Sequence, residues 1–287
     1  MKIYEPQYLK KSKISNQGAI PYYFDNIHPE WREFYLITEI FKSENLTDSS
    51  YAGVISPKFN SKSKITIQEF QNFMNLNSDF DVCFINPFPQ TSYFYFNIWD
   101  QGEAFHPGIT SLAQRLLKEV GIPWRLDEVG RTGHAVLSYC NYWVGNERFW
   151  KKYVGNVLYP IRIFIENHVD AKLIQDLFVP TVHSDRSSMF PFIIERLFTT
   201  FLYFSQEIKY IHYPSENLVD IYCLNEIERK IVSYVKPVID QMDGDISFNA
   251  TVRALMKGLG FSLQQFTLEY YSRRPYPFTG KSIETPI

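Results

Sequence analysis

Apolar positions along the chain fall alternately into short runs and into stripes at helical spacing. Val82 to Ile85 is an unbroken run between Asp79 and Asp81 on one side and Asn86-Pro87 on the other. That pattern predicts a buried strand ended by a turn. Tyr51 to Ile55, stopped by Ser56-Pro57, predicts another, and Lys2 to Tyr4 a first one followed by a polar loop through Gly18. Helices are expected between them. Pro29 opens one, with Glu30 and Glu33 near its positive end and Trp31, Phe34, Tyr35, Thr38 and Phe41 as its buried stripe. Thr66 and Glu69 have capping-box spacing, Ile65 and Phe70 fit a hydrophobic staple, and that helix should run to about Asn75.

Leu112, Leu116, Leu117 and Val120 form the face of a further helix, stopped by Gly121 and Pro123. His134 to Tyr139 predicts one more strand. Asn146 then caps a helix burying Phe149, Trp150, Tyr153 and Val157, which Pro160 interrupts or ends. Strands alternating with helices make the first two-thirds of the chain an α/β unit. Residues 189–204, MFPFIIERLFTTFLYF, are apolar on almost every side of a helix, with Glu195 and Arg196 as the only charges. An unpaired buried charge costs several kcal/mol, so each needs a partner, a ligand or a route to water. A structural ion pair and a position facing a pocket both meet that need. From 211 onward the pattern is helical and more polar, as in Leu224 to Met242 with Ile227, Ile231 and Val235. The expected division is therefore 1–210 as the α/β domain and 211–287 as a helical extension packed on it. The run Tyr270 to Phe278 combines aromatics with Arg273 and Arg274. It reads as a tail packed on the domain or as an exposed partner or membrane-surface segment.

Composition narrows the function classes. Hydrophobic residues at 45% and charged residues at 21% fit a globular chain. Lys and Arg number 29 against 31 Asp and Glu, giving 29 − 31 = −2, a balance that offers nothing to nucleic acid. Aromatics reach 17%, which suits a thick aromatic core or a sugar-stacking pocket. Cys83, Cys140 and Cys223 are widely spaced and lack any CxxC, which points to buried thiols in a reducing compartment. The first residues carry no apolar signal core, and no stretch approaches the roughly 18 apolar residues of a membrane span. A cytoplasmic protein that can lie against a membrane is the expectation.

Residues 79–108 hold the densest candidate chemistry: Asn97, Asp100, Glu103 and His106, interleaved with Tyr93, Tyr95 and Trp99. Ligands of open α/β sheets bind beyond the carboxyl ends of strands, so this stretch is expected to form one wall of a pocket. Asp79-Phe-Asp81 is a D-x-D, a pattern able to hold a divalent ion, but it precedes its strand. Asp100 and Glu103 follow the strand and are better placed for a ligand or metal. His168/Asp170 and His183/Asp185 read as solvated loop pairs. No dinucleotide or P-loop glycine motif, HExxH, GxSxG or catalytic cysteine motif appears.

Several segments, in order across residues 28–204, resemble GT-A-type glycosyltransferases of bacterial capsule and lipopolysaccharide synthesis. They are His28-Pro-Glu-Trp-Arg-Glu33, Tyr51-Ala-Gly-Val-Ile-Ser-Pro-Lys-Phe59 and Asp81-Val-Cys-Phe-Ile-Asn-Pro87. Asn141-Tyr-Trp-Val, Phe149-Trp-Lys-Lys-Tyr153 and Phe192-Ile-Ile-Glu-Arg-Leu197 follow. Where the family has a basic H-Y-R-R after its second strand, this chain has Ser56-Pro57-Lys58.

The resemblance implies an α/β, GT-A-like (Rossmann-like) nucleotide-sugar-binding sandwich with a helical C-terminal extension. It also implies a nucleotide-sugar donor, a glycan or lipid-linked glycan acceptor, and Mg²⁺ or Mn²⁺ as cofactor. On that reading Glu195, Asp100 and Glu103 are catalytic, and Asp100 and Glu103 also hold the metal. Asp81, Asn86, His106, Lys58 and Arg196 face the donor, and Asn141 and Trp143 the sugar or acceptor. The competing classes are a non-catalytic carbohydrate-binding or assembly protein of the same fold, and a glycoside hydrolase pairing Asp100 or Glu103 with Glu195.

Overall fold

A computed structural model describes residues 1–8, 13–43, 51–181 and 187–283. His183 and Asp185 lie outside the described residues. The N-terminal part alternates strands with helices, as the hydrophobic pattern requires. In order come β1 (Lys2–Gln7), β2 (Ile20–Tyr23), α1 (Glu33–Ser43), β3 (Ala52–Val54), α2 (Phe59–Ser63), α3 (Ile67–Leu76) and β4 (Val82–Phe84). Then follow α4 (Ile98–Phe105), α5 (Ile109–Glu119), β5 (Trp143–Gly145), α6 (Glu147–Phe149), α7 (Tyr159–Asn167) and α8 (Lys172–Leu177). A small ribbon of β6 (Pro180–Thr181) and β7 (Ser187–Ser188) leads into α9 (Met189–Phe204) and β8 (Tyr210–His212). The chain closes with α10 (Leu218–Tyr222), α11 (Glu226–Asp245) and α12 (Ala250–Ser272).

The main sheet has the order β2-β1-β3-β5-β4-β8. β5 is antiparallel to both β3 and β4, while the other pairings are parallel. Five strands therefore point one way and β5 alone points back. Every residue of β3, β4 and β5 is buried, as befits strands covered on both faces. The reversed strand has a local cause. Cys140 and Asn141 both adopt left-handed backbone, φ 64° and 54°, and turn the chain so that Trp143 pairs with Phe84. Because an antiparallel strand begins where its neighbours end, this corner sits at the carboxyl ends of β3 and β4.

The strand expected over 134–139 is absent. Val136 and Leu137 donate instead to the Gly133 carbonyl at 3.1 and 3.0 Å, so this stretch is a turn and the strand begins at Trp143. The Pro29 helix also breaks: a 3₁₀ turn covers Pro29–Trp31, and Arg32, at φ 51°, separates it from α1. The Thr66/Glu69 capping box and the Asn146 cap form as the sequence predicts. Pro160 does not end its helix. The turns before it, Trp150–Leu158, widen into a π-helix that joins α6 to α7, which accommodates a residue with no N–H to give.

Most buried side chains form one core around the sheet, α1, α5, the π-helical segment and α9. A second, smaller cluster joins Tyr93, Phe94 and Tyr95 to Leu218, Tyr222, Val232, Ile239, Met256 and Leu263. The helical extension thus packs on the segment that follows β4. β8, which starts at the expected boundary, still belongs to the main sheet through β4. α11 buries Glu228, Val232 and Ile239, leaving Ile227 45% exposed, so its inner face is rotated from the expected stripe. Among the described residues no helix is long and apolar enough to cross a membrane.

Two glycines test this packing. A Cβ on Gly53 would lie 2.2 Å from the Trp143 carbonyl oxygen, whereas one on Gly258 of α12 would meet nothing within 4 Å. Gly53→Ala should cost about 3 kcal/mol of unfolding free energy. Gly258→Ala should instead gain roughly 0.5–1 kcal/mol through helix propensity. Urea unfolding of the two variants checks both signs.

Candidate functional site

Beyond the carboxyl ends of β1, β3 and β4 lies a cleft of about 490 Å³. Tyr8 follows β1 into it, Ser56, Pro57 and Lys58 follow β3, and Phe88, Gln90 and Thr91 follow β4. Tyr139 and Cys140 enter from the corner that reverses β5, and Phe192, Glu195 and Arg196 from α9. The far wall comes from the C-terminal region: Asn225, Glu228, Leu263, Thr267, Tyr271, Tyr276 and Phe278. β1 has β2 on one side and β3 on the other, so the chain switches direction across the sheet at β1. Such a switch point opens a crevice suited to a ligand.

Glu195 and Arg196 do not pair with each other; they face different surroundings. The Arg196 guanidinium donates to the carbonyls of Ile98 at 3.3 Å and Phe192 at 2.8 Å, and closely to the Gln101 side chain. It is almost fully buried, and that burial lowers its pKa, with Tyr139 and Glu195 pulling it back up. A Cβ on Gly102 would come 2.5 Å from its Nε, which explains a glycine in the middle of α4. Among the described residues no hydrogen bond or ion pair reaches Glu195. Burial raises its pKa, opposed chiefly by Lys62 and then Arg196. Glu195 is thus a carboxylate of enhanced basicity open to the cleft.

The remaining expected site residues divide. His106 lines the cleft, stacked on Phe192 at 4.1 Å with Nδ1 3.0 Å from Thr181 Oγ1, and Lys58 stands on its rim. Asp100 does not line it: its carboxylate faces Arg253 of α12 at 3.6 Å. Glu103 also lies elsewhere, capping α5 by accepting from Gly108 N–H, Thr110 N–H and Thr110 Oγ1. Asp81 sits at the opposite, amino end of β4, where Asn146, Arg148 and the Lys209 N–H saturate it. Trp143 is fully buried among Phe149, Trp150, Tyr153 and Phe198. Asn86 and Asn141 are buried beside the cleft rather than lining it, and each keeps one unpartnered amide atom.

These placements correct the sequence reading in a physical way. Asp81 precedes its strand and so lies at the wrong end of it. Asp100 and Glu103 lie in α4 beyond the strand, but they point to α12 and α5. Among the described residues no three His, Cys, Asp or Glu side chains converge on a cation position. Asp100 and Glu103, each already engaged, do not fit a shared divalent ion, and no step is routed through one.

Several cleft residues carried little signal in isolation. Arg32 and Glu33 belong to the His28–Glu33 motif but were expected only to start a helix; Arg32 donates to Ser187 Oγ. Lys62 sits three residues past the helix start at Phe59, with Nζ 3.3 Å from Cys140 Sγ and over the Phe88 ring at 5.6 Å. The lysine-rich KFNSKSK stretch was its one trace in the sequence. Gln90, Glu228 and Tyr276 come together only in three dimensions. The tail is packed on the domain: Phe278 meets Phe88 at 5.5 Å, and Tyr276 meets Tyr271 at 5.1 Å.

No protein-family model and no curated protein matches the chain. Among solved structures it is similar to the bifunctional glycosyltransferase WbbM in its apo form, with a TM-score of 0.42 and 14% sequence identity. The match covers 74% of this chain and 44% of that one, so the chain spans less than half of WbbM's length. A likeness at this level assigns neither family nor activity.

The state of Glu195 gives a pH-dependent prediction. A carboxyl that holds its proton more tightly folded than unfolded favours the fold while protonated, and that contribution is lost as pH rises through its folded pKa. Glu195→Gln, which cannot ionise, should therefore gain melting temperature relative to wild type as pH rises from below 4.5, the ordinary value, to 7. Paired melting curves across that range provide the check; equal gains at all pH values would contradict it.

Proposed function

We propose that the protein is a glycosyltransferase that moves a sugar from a nucleotide-sugar donor to a hydroxyl of a glycan or lipid-linked glycan acceptor. The reading places it on a GT-A-like fold, in bacterial surface-polysaccharide synthesis, at the inner face of the cytoplasmic membrane. One observation carries the activity: Glu195, a carboxylate of raised basicity with no protein partner among the described residues, faces a cleft that also holds Arg32, Lys58 and Lys62. Sugar transfer needs both functions. The departing diphosphate must be neutralised, and an inverting reaction needs a base for the acceptor proton.

In this assignment Lys62, Lys58 and Arg32 take the diphosphate, since Lys58 and Lys62, which follow β3, and Arg32, which precedes α1, line the same cleft. Glu195 accepts the proton of the attacking hydroxyl, and Arg196 positions α4 against α9. The aromatic lining, including Tyr139, Phe88 and Phe192, offers ring faces to the C–H surfaces of a pyranose. The hydrolase alternative built on Asp100 or Glu103 with Glu195 loses its partner carboxylate, because neither acid lines the cleft.

Thermal shift against UDP, GDP, CDP and CMP compounds, with Mn²⁺ or with chelator, tests the donor. At least one nucleoside diphosphate should raise the melting temperature, and Lys62→Met should weaken that response about tenfold. Glu195→Gln should keep nucleotide binding while transfer falls roughly 10²-fold or more. Glycan binding without any nucleotide response would favour a non-catalytic carbohydrate-binding protein, and sugar release without nucleotide a hydrolase.

A further inference from the structure

The far end of the cleft differs chemically from the cationic end. Gln90 is 1% exposed and lines the cleft, yet its Oε1 has no hydrogen-bond partner. A buried amide oxygen left unsatisfied costs about 1–3 kcal/mol, so its persistence calls for a ligand. The Gln90 side chain also acts on the neighbouring Glu228, drawing its pKa down against the effect of burial. Glu228, on the first turn of α11 and 6% exposed, also accepts from Leu224 N–H at 2.5 Å, while its own N–H donates to Asn225 Oδ1 at 2.9 Å. The carboxylate is thus held rigidly, and the amide oxygen beside it is left for a donor.

The surroundings restrict that donor. Tyr271 donates to the Leu224 carbonyl at 3.2 Å and meets Tyr276 at 5.1 Å; Tyr276 in turn meets Phe278 at 5.7 Å, whose ring packs on Phe88 beneath Lys62. Tyr276 therefore stands between the Cys140–Lys62 end and the Gln90–Glu228 end. Burial raises the Glu228 pKa, and among the described residues its carboxylate makes no ion pair. An anionic group would meet a carboxylate here with no countercharge. A neutral hydroxyl would meet an amide acceptor, a carboxylate acceptor and aromatic faces.

We infer that Gln90, Glu228 and Tyr276 form an acceptor subsite that binds a neutral pyranose through its hydroxyls, with Tyr276 against the ring face. This rests on the glycosyltransferase reading and names the acceptor class for it. Gln90 and Glu228 are specificity residues here, with no part in the proton transfer assigned to Glu195.

Saturation-transfer NMR titrations test the inference, using methyl α- and β-pyranosides of glucose, galactose, mannose and rhamnose, with methyl glucuronide as the charged counterpart. At least one neutral pyranoside should bind, at least tenfold more tightly than the glucuronide. Glu228→Gln should shrink that discrimination, and Gln90→Ala should weaken the neutral ligand about tenfold. Both variants should keep the wild-type melting shift with nucleoside diphosphate. If either core substitution fails to fold, Tyr276→Leu in the tail serves instead and should weaken pyranoside binding by a similar factor. No saturation transfer to any pyranoside, equal binding of the glucuronide, or wild-type affinity in every folded variant would overturn the subsite. Nucleotide binding with no pyranoside binding removes the subsite alone. Pyranoside binding that is lost in the variants, with no nucleotide response, leaves the subsite standing and removes the transferase reading.

Discussion

The structure depends on one buried cation. Arg196 lies within a largely apolar helix and is satisfied by two main-chain carbonyls and one amide side chain rather than by an acid. Such an arrangement tolerates little displacement, since losing any acceptor leaves a buried charge short of partners. It fixes α4 against α9 and accounts for Gly102, whose missing side chain gives the guanidinium its room. Successive residues of an α-helix point about 100° apart. With Arg196 committed to α4, Glu195 faces a different direction and opens on the cleft. A neighbouring pair of charges thereby serves two purposes: one orders the scaffold, and the other is left available for chemistry.

The second constraint is the reversal of β5. Five strands end toward one edge, and the sixth begins there, after a corner made by two consecutive left-handed residues. The edge therefore receives chain from both directions: loops leaving β1, β3 and β4, and the Tyr139–Cys140 segment arriving. This convergence brings the Lys62 ammonium within 3.3 Å of the Cys140 sulfur, although the two are far apart in sequence. Burial pushes the Cys140 thiol up to about 12 despite that neighbour, so the sulfur is a neutral acceptor that orients the lysine rather than a nucleophile.

Much of the fold was legible because its signals are local. The Thr66 capping box, the Asn146 cap, the apolar strand at Val82 and the greasy helix of α9 each depend on residues within one turn or one run. The errors arose where a distant element decides the outcome. β2 and β8 are short edge strands, only partly buried, and the partner of β8, the strand β4, lies far away in sequence. The stretch 134–139 has strand composition, but Gly133 and the Cys140–Asn141 corner commit it to a turn. For the site, Glu195, Arg196, His106 and Lys58 line the cleft. Asp81, Asp100, Glu103 and Trp143 do not line it, because a sequence cannot say which way a side chain points. Arg253 captures Asp100, the start of α5 captures Glu103, and the aromatic core captures Trp143.

The helical extension contributes to the cleft as well as covering it. Tyr95 donates to the Gly260 carbonyl at 2.9 Å, and a Cβ on Gly260 would meet the Tyr95 ring at 2.4 Å, so α12 lies tightly on the segment following β4. Tyr93 donates to Asp240, and Arg131 pairs with Asp243 through two hydrogen bonds, locking α11 onto the same side. Through these contacts Glu228 and Tyr276 are held opposite a wall supplied by the sheet. The cations of the cleft come from the first sixty or so residues and from α9, and the far wall from the last sixty. With Gln90, Glu228 and Tyr276 as the inferred hydroxyl-binding end, the cleft has a built-in polarity. An anionic leaving group and a neutral incoming one would be sorted to opposite ends before any chemistry begins, and Glu195 stands on the helix that borders both.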